Sequence, residues 1–176
     1  MLDIAYAYER YDFLGREFLT WLWYSIENKQ DELIEKESLT LELGNRIVLE
    51  NKISTAVEIV TIKGDDAGLE EGKIAMQKGA MVSELNFFLK TGDSKWQLTV
   101  KGESLNISSL KTPETGTVEN KEDVEGAVLE KIYLYEKAVD FLESLFKRFI
   151  KLKVSDNWKE RTVPQIIDWI NKKEYY

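Results

Sequence analysis

Apolar residues near the start of the chain recur on a helical period. Leu14, Phe18, Trp21 and Leu22, continued by Ser25 and Ile26, fall on one face. Trp23 and Tyr24 lie at the flanks of that face, and Arg16, Glu17 and Thr20 fill the polar remainder, where Arg16, Thr20 and Glu27 can hydrogen-bond along or across the helix. So many large side chains on one stripe must be buried, at a gain of roughly 1.5 to 3 kcal/mol each. The two indoles suit anchors against a sheet. A platform for stacking nucleobases would need exposed rings among basic neighbours, and only Arg10 and Arg16 are close in sequence.

After a polar connection over residues 28–36, the period changes to two. Ser38 to Leu43 alternates, Gly44-Asn45 supplies turn chemistry, and Arg46 to Glu50 runs back, which predicts a hairpin. Thr55 to Ile62 alternates again, ending at the Gly64 to Gly68 turn. Leu69 to Lys78 predicts a short helix that Gly79 stops. Met81 to Leu89, Trp96 to Val100 and Leu105 to Leu110 read as three further strands joined by polar, glycine-containing turns.

Helical periodicity returns in the last third. Thr112 to Glu125 is aperiodic and reads as the longest loop. Ala127 to Leu152 then predicts a long helix whose stripe comprises Leu129, Ile132, Tyr133, Val139, Leu142, Leu145, Phe146, Phe149 and Ile150, interrupted by Glu136. A turn at Ser155 to Asn157 precedes Trp158. Pro164 opens a final helix bearing Ile166, Ile167, Trp169 and Ile170, expected to rest on the long one. The pattern predicts an α+β fold: an antiparallel meander of about six strands flanked by an N-terminal helix and C-terminal helices, in a single domain over residues 1–176.

Composition narrows the chemistry. The 176 residues contain no cysteine and no histidine, which excludes disulfides, thiol nucleophiles, a Ser-His-Asp triad and histidine- or cysteine-ligated zinc within this chain. No phosphate-loop, dinucleotide, calcium-loop or metalloprotease motif is present. The acidic pairs Asp65-Asp66 and Glu70-Glu71 sit at a turn and a helix start, where solvation and the helix dipole account for them better than a metal or a shared proton. Gly72-Lys73 and Lys78-Gly79 place lysines beside glycines, a weak phosphate-binding pattern that ordinary turns also produce. The reading assigns no catalytic residue, no metal and no cofactor. The amino terminus lacks a secretory pattern and no window suits a membrane span, so a cytoplasmic protein without a membrane partner is expected.

Net charge is −8, unfavourable for diffuse attraction to a polyanion, but it is unevenly spread. Residues 1–60 hold 6 basic and 12 acidic side chains, residues 61–112 hold 7 and 7, and residues 113–176 hold 11 and 13. Lys147, Arg148, Lys151, Lys153, Lys159 and Arg161 stand among only Asp156 and Glu160 in their stretch. These six are the candidate nucleic-acid contacts, with Lys73, Lys78, Lys101 and Lys111 as a second set. Complementarity of the first group to a helix carboxyl end is the competing explanation.

Several segments carry a family resemblance: Leu14 to Trp23, Gly72-Lys73, Trp96 to Val100, Leu110 to Pro113, and Glu125 to Leu134. Together they resemble the RdgC family of bacterial recombination-associated proteins, in its shorter, divergent form. The resemblance implies a carboxyl-terminal portion of such a protein, a ring-shaped dimer that encircles duplex DNA without sequence preference, and restraint of the RecA recombinase. The ten cations come from charge and not from that resemblance. The expected function is thus a nonspecific DNA-binding accessory protein of recombination or replication. The alternative is a non-catalytic structural or protein-interaction domain, a homo-oligomer in one version.

Overall fold

The computed structural model describes residues 4–33, 39–53, 56–64, 68–116 and 121–172. Helix α1 (Ile4–Asn28) is followed by the short α2 (Gln30–Leu33), strands β1 (Leu39–Ile53) and β2 (Ala56–Lys63), and helix α3 (Gly68–Gln77). Strands β3 (Met81–Thr91), β4 (Ser94–Lys101) and β5 (Asn106–Lys111) follow, then the long helix α4 (Lys121–Lys153), a π-helical turn (Trp158–Thr162) and α5 (Val163–Asn171). The strands form one antiparallel sheet in the order β2-β1-β3-β4-β5. This is the expected α+β architecture, with five strands.

The sixth strand disappears because Gly44-Asn45 is no hairpin turn. The chain runs through it as one strand, and Leu43 and Ile47 of β1 oppose Phe87 and Leu85 of β3, so β1 carries a bulge. Gly44 is required there: a Cβ at this position would stand 1.8 Å from Asn86 Oδ1. Asn86 is itself fixed, its Nδ2 donating to Leu98 O (3.1 Å) and Thr99 Oγ1 (2.7 Å) while its Oδ1 accepts from Gln97 Nε2 (3.0 Å). A buried amide satisfied in this way is costly to displace.

One face of the sheet is apolar and covered. Leu41, Ile47, Leu49, Val82, Leu85, Phe87, Leu89, Trp96, Leu98 and Val100 are buried beneath the helices in a continuous core. The other face is polar and laced by cross-strand pairs: Arg46 Nε donates to Glu84 Oε1 at 2.7 Å, Lys90 pairs with Glu42, and Lys95 Nζ lies 3.7 Å from the centre of the Phe88 ring.

Helix α1 is more deeply embedded than a single amphipathic stripe requires. Trp23 and Tyr24, expected at its flanks, are buried along with Phe18, Leu19, Trp21 and Leu22. The helix lies across β3 on one side and meets α4 and α5 on others, so nearly its whole girth from Phe18 to Ile26 is enclosed. The helix also crosses the β4-β5 connection at very short range. A Cβ on Gly15 would lie 1.8 Å from the Gly102 carbonyl oxygen, so only glycine admits this approach.

Helix α5 does not rest mainly on α4, as the pattern had suggested. Trp169 inserts it against α1 and α3, with ring centroids 5.3 Å from Trp23 and 5.6 Å from Tyr24. The π-helical turn is what meets α4, through Trp158, 5.5 Å from Phe149. Among the described residues no helix is long and apolar enough to cross a membrane.

Candidate interaction surface

Charge placement decides first what the ten sequence-derived cations can reach. Lys73 is buried: its Nζ lies 3.6 Å from Glu27 Oε2 and 5.3 Å from the centre of the Trp169 ring. The same carboxylate accepts from Trp23 Nε1 (2.6 Å) and Trp169 Nε1 (2.7 Å), so Glu27 ties α1, α3 and α5 together. Lys73 therefore serves the core and cannot face a phosphate backbone. Lys153 pairs with Glu17 and lies over Trp158, 5.0 Å from the ring centre. It too is spent on packing.

The others reach solvent to different degrees. Lys147 is exposed and paired with Glu143 one turn earlier at 2.8 Å. Lys151 on α4 and Lys159 and Arg161 on the π-helical turn are exposed, and Arg148 is half-buried beside them. The second set is dispersed. Lys78 lies just past the end of α3, Lys101 at the end of β4 and Lys111 at the end of β5, each exposed on a different element. The structure thus brings Lys147, Arg148, Lys151, Lys159 and Arg161 to one end of the helical layer and leaves the remainder apart.

The acidic pairs offer no alternative chemistry. Asp65 and Asp66 lie outside the described residues, and Glu70 and Glu71 are exposed in the first turn of α3. Among the described residues, no group of three or more carboxylates is placed to hold a metal ion. Gly72 and Lys73 are inside α3, not in a loop, and Gly79, at φ +97°, ends that helix as expected.

Two clefts flank α4. The first, about 480 Å³ and open, lies between the strand β5 exit and α4, lined by Lys111, Pro113, Glu114, Lys131 and Tyr135 among others. The second, about 230 Å³, joins α1 to the π-helical turn, with Trp21, Leu33 and Leu152 as apolar walls and Ser25, Lys29, Arg148 and Thr162 as polar ones. It is smaller than the roughly 300 to 1,000 Å³ usual for a ligand pocket. Sequence reasoning had no means of finding it, because its walls come from five separate elements.

The most distinctive surface is α4 itself. Its second half is covered: Leu142, Leu145 and Phe149 are buried, and Phe18, Trp21, Phe146, Phe149 and Trp158 form a chain of ring contacts with centroids 5.3 to 6.1 Å apart. Its first half is bare. Val124, Val128, Leu129, Ile132, Tyr133, Tyr135 and Val139 are all between 40% and 59% exposed. The periodic stripe from Leu129 onward had predicted core; the structure buries only its carboxyl-terminal part.

Contact with the sheet occurs on another side of the same segment. Ala138 is fully buried, Leu134 is half-buried, and the Leu134 carbonyl accepts from Trp96 Nε1 at 3.1 Å. On a helical wheel, Ala138 and Leu134 point about 105 and 145° away from the centre of the exposed stripe. The helix is thus secured by one side and presents another. Comparison with family models, with curated proteins and with solved structures returns no match to this chain.

Proposed function

We propose that this chain is a non-catalytic protein-interaction domain whose binding surface is the amino-terminal half of α4. The observation that supports it is the row of seven large apolar side chains, from Val124 to Val139, left half in water on a helix otherwise firmly attached to the fold. Isolated exposed apolar residues are ordinary, whereas a contiguous strip rimmed by charge marks a surface that is covered in use. Lys131 and Lys137 supply that rim, and Glu136 and Asp140 interrupt the strip between Ile132 and Tyr133.

Photo-cross-linking from position 132 in cells, with position 99 on the polar sheet face as control, tests this. Protein adducts at 132 and not at 99 are expected. Equal labelling at the two positions, or none at 132, overturns the reading.

A second reading rests on the basic end of the helical layer and on the resemblance to the RdgC family: nonspecific DNA binding. Lys147, Lys151, Lys159 and Arg161 are the cations exposed there. Four phosphate contacts would give a slope of log affinity against log salt of about −3.6. A titration with a random duplex showing that slope, weakened in the Lys151→Gln variant, supports it. No binding at low salt removes it.

A further inference from the structure

We infer that the occupant of the bare half of α4 is the same segment of a second copy, laid parallel and in register across a two-fold axis. The inference rests on the interaction reading above and names its partner. Val128, Ile132, Tyr135 and Val139 are spaced four, three and four residues apart, the seam spacing of two helices that wind around each other. These four are 40% to 52% exposed. They are available.

The flanks specify the orientation. Lys131 lies on one edge of the seam and Glu136 on the other, both exposed, five residues apart. In a parallel in-register pair, a residue on the first edge faces the residue five positions later on the opposite helix. Lys131 of each copy then meets Glu136 of the other, twice over by symmetry. Two turns earlier the same relation joins Val124 to Leu129 and widens the apolar contact.

An antiparallel pair aligned on the same seam instead sets Lys131 beside Ala138, which the body of its own copy already covers, and Glu136 near Leu129, so neither charge gains an opposite one. The two-fold arrangement is self-complementary, as an isologous interface must be. The six half-exposed side chains on the seam and its edges present about 600 Å² per copy, at the low end of the roughly 600 to 1,000 Å² a side of a stable interface. Leu134 holds the sheet on a side of α4 turned away from the seam, whereas Ala138, seven residues after Lys131 on the same edge, is buried by the body of its own copy, so that edge of the seam is open at Lys131 and closed at Ala138.

The chain has no cysteine, so single introduced thiols report contacts without background. Ile132→Cys under mild oxidation is expected to form a disulfide-linked dimer, and sedimentation of the unaltered chain is expected to show a concentration-dependent dimer. Lys131→Glu should weaken association about fivefold, and Lys131→Glu combined with Glu136→Lys should restore it to within about twofold. These are surface positions, and circular dichroism verifies that each variant is folded.

A chain that sediments as a monomer at all concentrations overturns the inference. So does cross-linking confined to a mixture of Val128→Cys with Val139→Cys, which reports the antiparallel pair. A monomer that still yields cellular cross-links from position 132 to another protein defeats the second copy and leaves the interaction reading standing. A monomer with no such adducts removes both.

Discussion

The two halves of α4 carry the same kind of sequence and meet different fates. From Leu142 onward, the apolar stripe is met by Phe18 and Trp21 of α1 and by Trp158 of the π-helical turn. From Val124 to Val139, residues of equal hydrophobicity stay 40% to 59% exposed, with Tyr135 beside the β5 exit and the segment held to the sheet at Leu134 and Ala138. Periodicity in sequence states that a face needs covering. It does not state by what, and here the covering element within the chain is shorter than the face.

This contrast can be broken by measurement. The largest effect is expected at Phe149→Ala in the covered half, where a fully buried ring touching Phe18, Trp21 and Trp158 is lost: about 3 to 5 kcal/mol in denaturant unfolding. A loss under about 1 kcal/mol would mean that this half is no more tightly held than the other.

A smaller effect is expected where α1, the covering helix, is held at its far end. Glu27→Gln keeps the shape but removes the charge that Lys73 faces and one of the good acceptors of the two indoles. Lys73 is buried and the Glu27 side chain is 20% exposed, so the loss should be about 2 to 3 kcal/mol, below that for a wholly buried pair. Unchanged stability would show that α1 is placed by apolar contacts alone.

The smallest effect belongs to the bare half. Ile132→Ser, measured by denaturant at dilutions where association is absent, should change stability by less than about 0.5 kcal/mol. At high concentration the unaltered chain alone should melt at a temperature that rises with concentration, since association stabilises only the folded form. A substantial loss at high dilution would place Ile132 in the core after all.

Much of the fold was legible in the sequence because each element has a strong local signal. The period-two runs gave β2, β3, β4 and β5, Gly79 marked the end of α3, and Pro164 fell in the first turn of α5. The misreadings are those in which a distant partner decides. Gly44-Asn45 has turn chemistry, but Asn86, some forty residues on, occupies the space beside Gly44 and keeps the strand running. Lys73 carries a charge that suggests solvent, yet Glu27 and Trp169 draw it inward. The expected loop over residues 112–125 also shortened, since α4 begins at Lys121.

The candidate site was legible in half. Leu129, Ile132, Tyr133 and Val139 belonged to the stripe read from the sequence, whereas Val124, Val128 and Tyr135 did not, and the bareness of all seven depends on where α1 stops covering α4, which no local pattern encodes. The basic segment was equally visible, and the structure shows that its members divide between solvent and interior, with Lys153 committed to Glu17 and Lys151 left outside.

The bulge in β1 has a consequence for how the gene can vary. Between Leu43 and Ile47 four positions advance on β1 while two advance on β3, an excess of an even number. Parity is therefore preserved, and the inward-facing set Leu39, Leu41 and Leu43 stays in phase with Ile47 and Leu49. Deleting one residue near Asn45 would put the two stretches out of step and turn three leucines toward water; deleting two would not. Viable length changes at this point should come in pairs.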